Sequence, residues 1–428
     1  MPFPKIKNLR WWMISLLMVG AILNYLTRNT LSVAVATSSL MKDLNIDEEG
    51  YSWITSAFQF AIMLQPIVGY VLDVIGLKLG FAIFCIAWSL INMSHAFAGS
   101  WQAFAVLRGF LGFAEGSANP AGMKATAEWF PAKERGFAGG VYNIGASVGS
   151  MLAPPLVGWA IFYYNWQTAF VVTGALGLVW VAFWWLFYQS PAQHPKLSRE
   201  EREHIFSGQE QHLSHSTARP SMLHIIQQRN FWGIALPRFL ADPTWGTLAY
   251  WLPLYLAKER GFDIKAIALY AWLPFLAADI GCLFGPFVTA QFQKRGVSLI
   301  NARRATFTVG ACMMVAVAFT GIVASPTTAL VLLFIAGFAH QTLSVTVITM
   351  SSDLFKRSEV ATVAGMAGTF GNLGILLFNL LMGGLVATVG YSPFFIAIGI
   401  FDLIGAVVLW TLVRDPNVDN PQSNPAGL

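Results

Sequence analysis

Apolar runs of about twenty residues recur along this chain, each closed by a short polar stretch. The first six cover roughly residues 12–35, 52–72, 79–98, 102–125, 137–162 and 166–188. After a polar gap they resume at roughly 231–256, 265–290, 304–324, 328–350, 361–387 and 391–413. A helix needs about 20 apolar residues to cross the ~30 Å hydrocarbon core of a bilayer, and only helices and closed barrels satisfy their backbone groups there. The pattern therefore predicts an all-α integral membrane protein of twelve transmembrane helices in two pseudo-symmetric six-helix bundles. The expected organisation is a first bundle over 1–188, a cytoplasmic linker over 189–230, a second bundle over 231–414 and a cytoplasmic tail over 415–428. Within the gap, Ser198 and Glu201 have capping-box spacing, which fits a short surface helix as well as the pattern fits a solvated linker.

Composition agrees with lipid as the solvent. Hydrophobic residues make up 56% of the 428 and charged residues 11%, against about 25% charged in soluble domains. The 16 Trp and 33 Phe suit interfacial belts and lipid-facing packing. A net charge of +5 does not imply a nucleic-acid partner, because the basic residues fall between apolar runs and build no basic domain. Nineteen of the 26 Lys and Arg fall on one side when the spans are threaded with the N-terminus inside, against four on the other. The positive-inside rule then puts both termini in the cytoplasm. The short basic start, Met1 to Arg10, leads into a run too long for a signal-peptide core and reads as a retained first helix. Cys85, Cys282 and Cys312 sit far apart inside apolar runs, with no spacing for a metal site or a disulfide framework. No metal, cofactor or enzymatic site is expected.

Ionisable residues inside spans carry the chemistry, since each is costly unless paired or wetted. Arg28 falls in span 1. Arg108 and Glu115 lie seven apart in span 4, on one helix face. Two guanidiniums and one carboxylate leave a positive charge unanswered, which suits an anion site, and Arg binds a carboxylate through two parallel hydrogen bonds. The competing reading is a structural Arg–Glu lock between helices. In the second half, Arg238 and Asp242 are four apart and can satisfy each other. Asp402 reads as a structural partner, and Asp279 is open. His340 and Gln341 offer donors and acceptors at mid-depth in span 10. At the end of span 2, Gly69 is expected to admit a close neighbour and Gly76 a tight turn. Asp73 can cap or pair beside Lys78, a cluster able to hold a gate shut. Gly145, Gly149, Ala153 and Gly158 in span 5 predict a close helix crossing.

The stretch from Gly69 to Lys78 matches the signature loop of the major facilitator superfamily, with only a weak echo at Gly285 to Arg295. The run Tyr25-Leu26-Thr27-Arg28-Asn29-Thr30 resembles the anion:cation symporter family. So do Trp251 to Leu256 and Gly371-Asn372. Together with Glu128 to Arg135, Phe231 to Asp242 and Gly337 to Gln341, the chain is most similar to bacterial hexuronate transporters from about residue 4 to 414. That resemblance implies a proton-coupled symporter importing glucuronate or galacturonate across the bacterial inner membrane, working as a monomer on a sugar-acid anion, protons and lipid. Carried over by position, Tyr25, Arg28 and Asn372 hold the sugar acid, Arg108 and Glu115 link substrate to proton coupling, and Asn143 lies near the cavity. Relatives often carry Asp before the span-1 Arg; Thr27 stands there, so proton coupling falls on Glu115. Ala61 replaces a frequent cavity Tyr, with Gln59 nearby as a candidate contact. Uptake of an aldonate such as galactonate is the alternative substrate reading. A drug-efflux pump fits less well, because two arginines favour anions. A membrane sensor or intramembrane enzyme has no supporting motif.

Overall fold

The computed structural model describes residues 5–36, 38–131, 134–207, 222–355 and 360–414, with no side-chain placement at Asp73 and Asn143. The expected tail at 415–428 and the middle of the linker, 208–221, lie outside the described residues. Among the described residues the regular structure is helical apart from one isolated bridge, Ile6 to Leu197. In chain order the helices are α1 (Leu9–Val35), α2 (Ser38–Asp43), α3 (Glu48–Ile62), α4 (Gln65–Ile75), α5 (Leu77–Ser94), α6 (Trp101–Glu115), α7 (Ala118–Trp129), α8 (Arg135–Tyr163) and α9 (Trp166–Phe187). They continue with α10 (Arg199–Ser207), α11 (Met222–Gln227), α12 (Arg229–Gly246), α13 (Leu252–Lys258), α14 (Ile264–Tyr270) and α15 (Leu273–Lys294). The last four are α16 (Leu299–Met314), α17 (Pro326–Leu354), α18 (Val360–Val389) and α19 (Ser392–Leu412).

Polar caps start these helices where the apolar runs begin. Asp47, Ser100, Asn165, Asp263 and Ser325 each accept a backbone N–H three residues on, which satisfies donors that a helix start leaves orphaned. Nine helical stretches among the described residues are long and apolar enough to cross a membrane. Three further apolar runs are interrupted. α3 gives way to α4 at Met63–Leu64, just before Pro66, and α6 to α7 at Gly116–Ser117. α12 runs into a π-helical turn, Thr247–Trp251, before α13. These interrupted stretches carry Gln59, Arg108, Glu115, Arg238 and Asp242, while Arg28, His340 and Asp402 lie on the unbroken helices α1, α17 and α19.

The chain divides into two compact units. One comprises 1–217 with 249–272, the other 218–248 with 273–428. In the first unit α1 pairs with α8, α3 with α6 and α5 with α9. In the second α12 pairs with α18, α15 with α17 and α16 with α19. The same pairing in both units is a structural repeat far clearer than the sequence echo. Glycines set the crossings: a Cβ at Gly149 would lie 2.4 Å from the Ile22 carbonyl oxygen, and one at Gly112 would lie 2.4 Å from that of Phe58. The close crossing expected of span 5 is present, with Gly145 and Gly149 seated on α1.

The linker start is folded onto the first unit. Glu201 N–H donates to Ser198 Oγ at 3.1 Å, the expected half of a capping box on α10. The Glu201 carboxylate does not close the box. It accepts from the Leu9 and Arg10 amides at 3.0 and 3.2 Å and from Arg10 Nη1 at 2.9 Å, capping α1 instead. Arg10 Nε also reaches Glu134 Oε2 at 3.1 Å, and the His204 imidazole meets Glu134 Oε1 at 2.8 Å. Burial pushes the Glu134 carboxyl up, but the His204 hydrogen bond and the Arg10 guanidinium outweigh it and hold the group below its ordinary range.

Candidate functional site

The buried charges of the first unit gather where α1 passes the end of α6. Asn24, Thr27 and Arg28 follow one another at helical spacing on α1, and all three reach Glu115. Thr27 Oγ1 donates to Glu115 Oε1 at 2.7 Å, and Arg28 Nε to Oε2 at 3.4 Å. The Asn24 amide donates to the Glu115 backbone carbonyl at 3.3 Å, while its own oxygen accepts from Arg28 Nη2 at 3.1 Å. Glu115 is the last residue of α6 before the break, so the grip falls on a helix end.

Arg108, two turns before Glu115 on the same helix, is fully buried. Its Nη2 donates to the Arg28 backbone carbonyl at 3.0 Å, and its Nε and Nη1 have no hydrogen-bond partner. The sequence places Arg108 and Glu115 on one face; the carboxylate nonetheless bonds Arg28 and Thr27 of α1. Phe58 faces both guanidiniums, with ring centroid 5.3 Å from Arg28 Cζ and 4.8 Å from Arg108 Cζ. The Tyr25 ring lies 4.4 Å from Arg28 Cζ. Each such contact is worth about 0.5–2 kcal/mol and offsets part of the repulsion between the two cations. Two guanidiniums against one carboxylate leave one positive charge in a buried site, and Arg108 presents two N–H-bearing nitrogens for an anion.

Tyr250, from the π-helical turn, joins this cluster. Its hydroxyl donates to Gln59 Oε1 at 2.9 Å, its backbone carbonyl accepts from the Tyr51 hydroxyl, and it lies within electrostatic reach of Arg28, Arg108 and Glu115. Sequence reasoning missed Tyr250 and Tyr51. The available signal was Pro243 and Pro253 bracketing an apolar run, since a π turn is a frequent mark of functional sites. Gln59 is brought to the cluster, as is Tyr25; Asn143 falls in α8, and its side chain lies outside the described residues.

In the second unit, Arg238 Nη2 donates to Asp242 Oδ2 at 3.2 Å, one turn apart on α12, as expected. The carboxylate is pressed on α18, where a Cβ at Gly371 would lie 1.9 Å from Asp242 Oδ2. Asn372 follows on α18 and is half-buried. His340 is buried, stacked on Trp245 at 5.9 Å, with Nδ1 unpartnered. Gln341, the next residue on α17, is half-buried and hydrogen-bonded to Cys282 of α15. Asp402 is fully buried and neither oxygen has a hydrogen-bond partner, so no partnership of the kind read for it from the sequence is present.

Of the candidate gate, Gly76 has φ +84° and joins α4 to α5, a left-handed turn that favours glycine. Gly69 lies inside α4, where a Cβ would sit at an ordinary 3.6 Å from Pro120; close approach does not require glycine there. Lys78 opens α5 with its ammonium 5.4 Å from the Trp185 ring. The Asp73 side chain lies outside the described residues.

The model of the Major Facilitator Superfamily matches residues 17–321 and 297–428. The chain is 48% identical over 414 residues to the hexuronate transporter of Escherichia coli K12, covering 96% of this chain and 95% of that protein. It is 50% identical over 325 residues to the galacturonate transporter of Dickeya chrysanthemi, covering 75% of this chain and 94% of that one. Among solved structures, a bacterial homologue of the human lysosomal transporter Spinster, inward-facing and occupied, superposes with TM-score 0.75 at 17% identity, over 98% of this chain and 100% of that one. That last likeness concerns the fold.

Proposed function

The chain belongs to the Major Facilitator Superfamily, and from that premise we propose that this multi-pass membrane transporter imports glucuronate or galacturonate together with protons. The reading includes twelve spans, the three interrupted stretches completing the nine, with both termini cytoplasmic and the site in a bacterial inner membrane. The transporter works by alternating access as a monomer. The observation that carries the anion site is the charge imbalance at Arg28, Arg108 and Glu115; the names of the 48% and 50% identical relatives support the substrate class.

The sugar-acid carboxylate docks on Arg28, displacing Glu115, while Arg108 supplies the second cationic face. Tyr25, Gln59 and Asn372 bond the hydroxyls, with Asn143, His340 and Gln341 as further contacts. Glu115, buried and left with Thr27, takes a proton because an unpaired carboxylate is costly there. One anion and one proton have then entered, so the cluster carries the same net charge empty and loaded. A ligand shifts such an equilibrium only through different affinity for its two states; here that difference is the Arg28–Glu115 bond, present only without substrate. The turn at Gly76, with Gly69, Asp73 and Lys78, forms the gate. The test is uptake of labelled glucuronate and galacturonate into proteoliposomes with and without an inward proton gradient. Accumulation that needs the gradient and is competed by hexuronates is the expected result. Accumulation competed by galactonate alone transfers the site to aldonates, and gradient-independent equilibration removes the proton.

A further inference from the structure

An apolar groove of about 790 Å³ runs along the outside of the first unit between α5 and α9, lined by Leu79, Ile83, Ile86, Leu90, Ala182 and Trp185 among others. Leu79, Ile83, Leu90 and Trp185 are each 45–51% exposed, so the groove is open on its outer face. Leu79 and Leu90 are eleven residues apart, roughly 16 Å along a helix. That is about half the ~30 Å hydrocarbon core, the depth of one leaflet.

The groove is apolar along its length and cationic at one mouth. Lys78 precedes its first lining residue, with its ammonium over the ring of Trp185, itself part of the wall. Lys196 and Arg202, from the folded linker start, share with Lys78 the surroundings of His194, and Arg202 Nη2 donates to the His194 carbonyl at 3.4 Å. Burial, with Lys196, Lys78 and Arg202 around it, holds the His194 imidazole below its ordinary value. Among the described residues no acid forms an ion pair with Lys78, Lys196 or Arg202.

We propose that this groove is a binding site for one anionic phospholipid, its acyl chain lying between α5 and α9 and its phosphate on Lys78, with Lys196 and Arg202 adding positive potential. Charge complementarity chooses the headgroup: three cations without an acid partner among the described residues disfavour a quaternary or primary amine and favour a net-negative phosphate diester. The leaflet-long apolar wall chooses a lipid over a free anion. Trp185 ties the two parts together, offering its face to the cation and its edge to the chain.

The test is native mass spectrometry of the full transporter released from vesicles of phosphatidylglycerol and phosphatidylethanolamine at equal ratio. The wild type is expected to retain one phosphatidylglycerol in preference to phosphatidylethanolamine. Lys78→Ala should lower that retention about fivefold, as loss of one surface cation does. Ala182→Trp, at an exposed wall position, should fill the groove and abolish it with the melting temperature unchanged. Added inorganic phosphate should displace nothing. Equal retention of both lipids by the wild type, or unchanged phosphatidylglycerol in both variants, would show only ordinary annular lipid and overturn the site.

Discussion

The two units each bury an Arg–acid pair, and the pairs are built differently. In the first, Arg28 and Glu115 come from different helices at 3.4 Å, with Arg108 beside them as a second cation. In the second, Arg238 and Asp242 lie one turn apart on α12 at 3.2 Å. An i, i+4 pair neutralises itself wherever the helix goes; a pair that spans helices holds only while they keep their contact. The first arrangement changes partner when its helices part, which is the exchange that the proposed function requires of it, and the second stays neutral on its own helix. Different jobs follow from the same residue types.

Removing the open pair's cation should do most. Arg28→Ala is expected to lower hexuronate uptake by about 100-fold or more, the loss of a charge-assisted contact of roughly 3 kcal/mol, measured as initial rates in proteoliposomes. Retained uptake would move the anion to Arg108. Glu115→Gln should come next: gradient-driven accumulation disappears while counterflow exchange of preloaded substrate continues. A double substitution separates the two pairs. Asp242→Asn alone strands Arg238 and should cost about 3–5 kcal/mol of stability, visible as a lowered melting temperature. Adding Arg238→Gln should recover most of that stability and uptake together. Arg28→Gln with Glu115→Gln should recover stability without uptake, and if it transported, the open pair would be no more than a lock.

A smaller effect is expected at Gly371→Ala, where the new methyl must displace the Asp242 carboxylate. Overpacking of this kind costs about 1–3 kcal/mol, and the melting temperature reads it. The smallest lies outside the spans. Glu134 has its folded pKa depressed, so its contribution is present above the ordinary carboxylate pKa and lost as pH falls through the folded value. Protection factors of the α10 amides, corrected for the intrinsic pH dependence of exchange, should therefore fall below about pH 4, and Glu134→Gln should flatten that dependence. The pair is partly exposed, which keeps the effect near the scale of surface ion pairs.

Most of the helical framework was legible because lipid forces apolar runs of a fixed length, and Gly76 was legible because a left-handed turn has few other occupants. Gly69 carries the same expectation of a close neighbour, yet Pro120 sits at ordinary distance. The partner of Glu115 was legible only as the competing reading, an Arg–Glu lock between spans 1 and 4, which the Arg28–Glu115 bond matches. A spacing of seven reports a shared face on α6, whereas the hydrogen bonds depend on which helix crosses that face, and the glycines of α8 and α6 that decide the crossing speak only once the helices are packed. Tyr250 was hidden for a further reason: it reaches Gln59 from 191 residues away, in a turn whose π geometry has no reliable sequence signature. The linker helix at Ser198 was visible from its cap, but the use of Glu201 on α1 was not, since the same carboxylate could equally have closed its own box.

That use of Glu201 has a consequence for how the protein is made. The Leu9 amide waits for a carboxylate 192 residues further along. At about 5–20 residues per second on the ribosome, the interval is roughly 10–40 s. Through it α1 resides in the membrane with its leading amides unclaimed by protein, and its unit is completed only when residues 249–272 follow. Biogenesis of the first unit thus ends well inside synthesis of the second half. A nascent chain stalled between the two bundles would present an unfinished α1 terminus, a distinguishable target for membrane quality control.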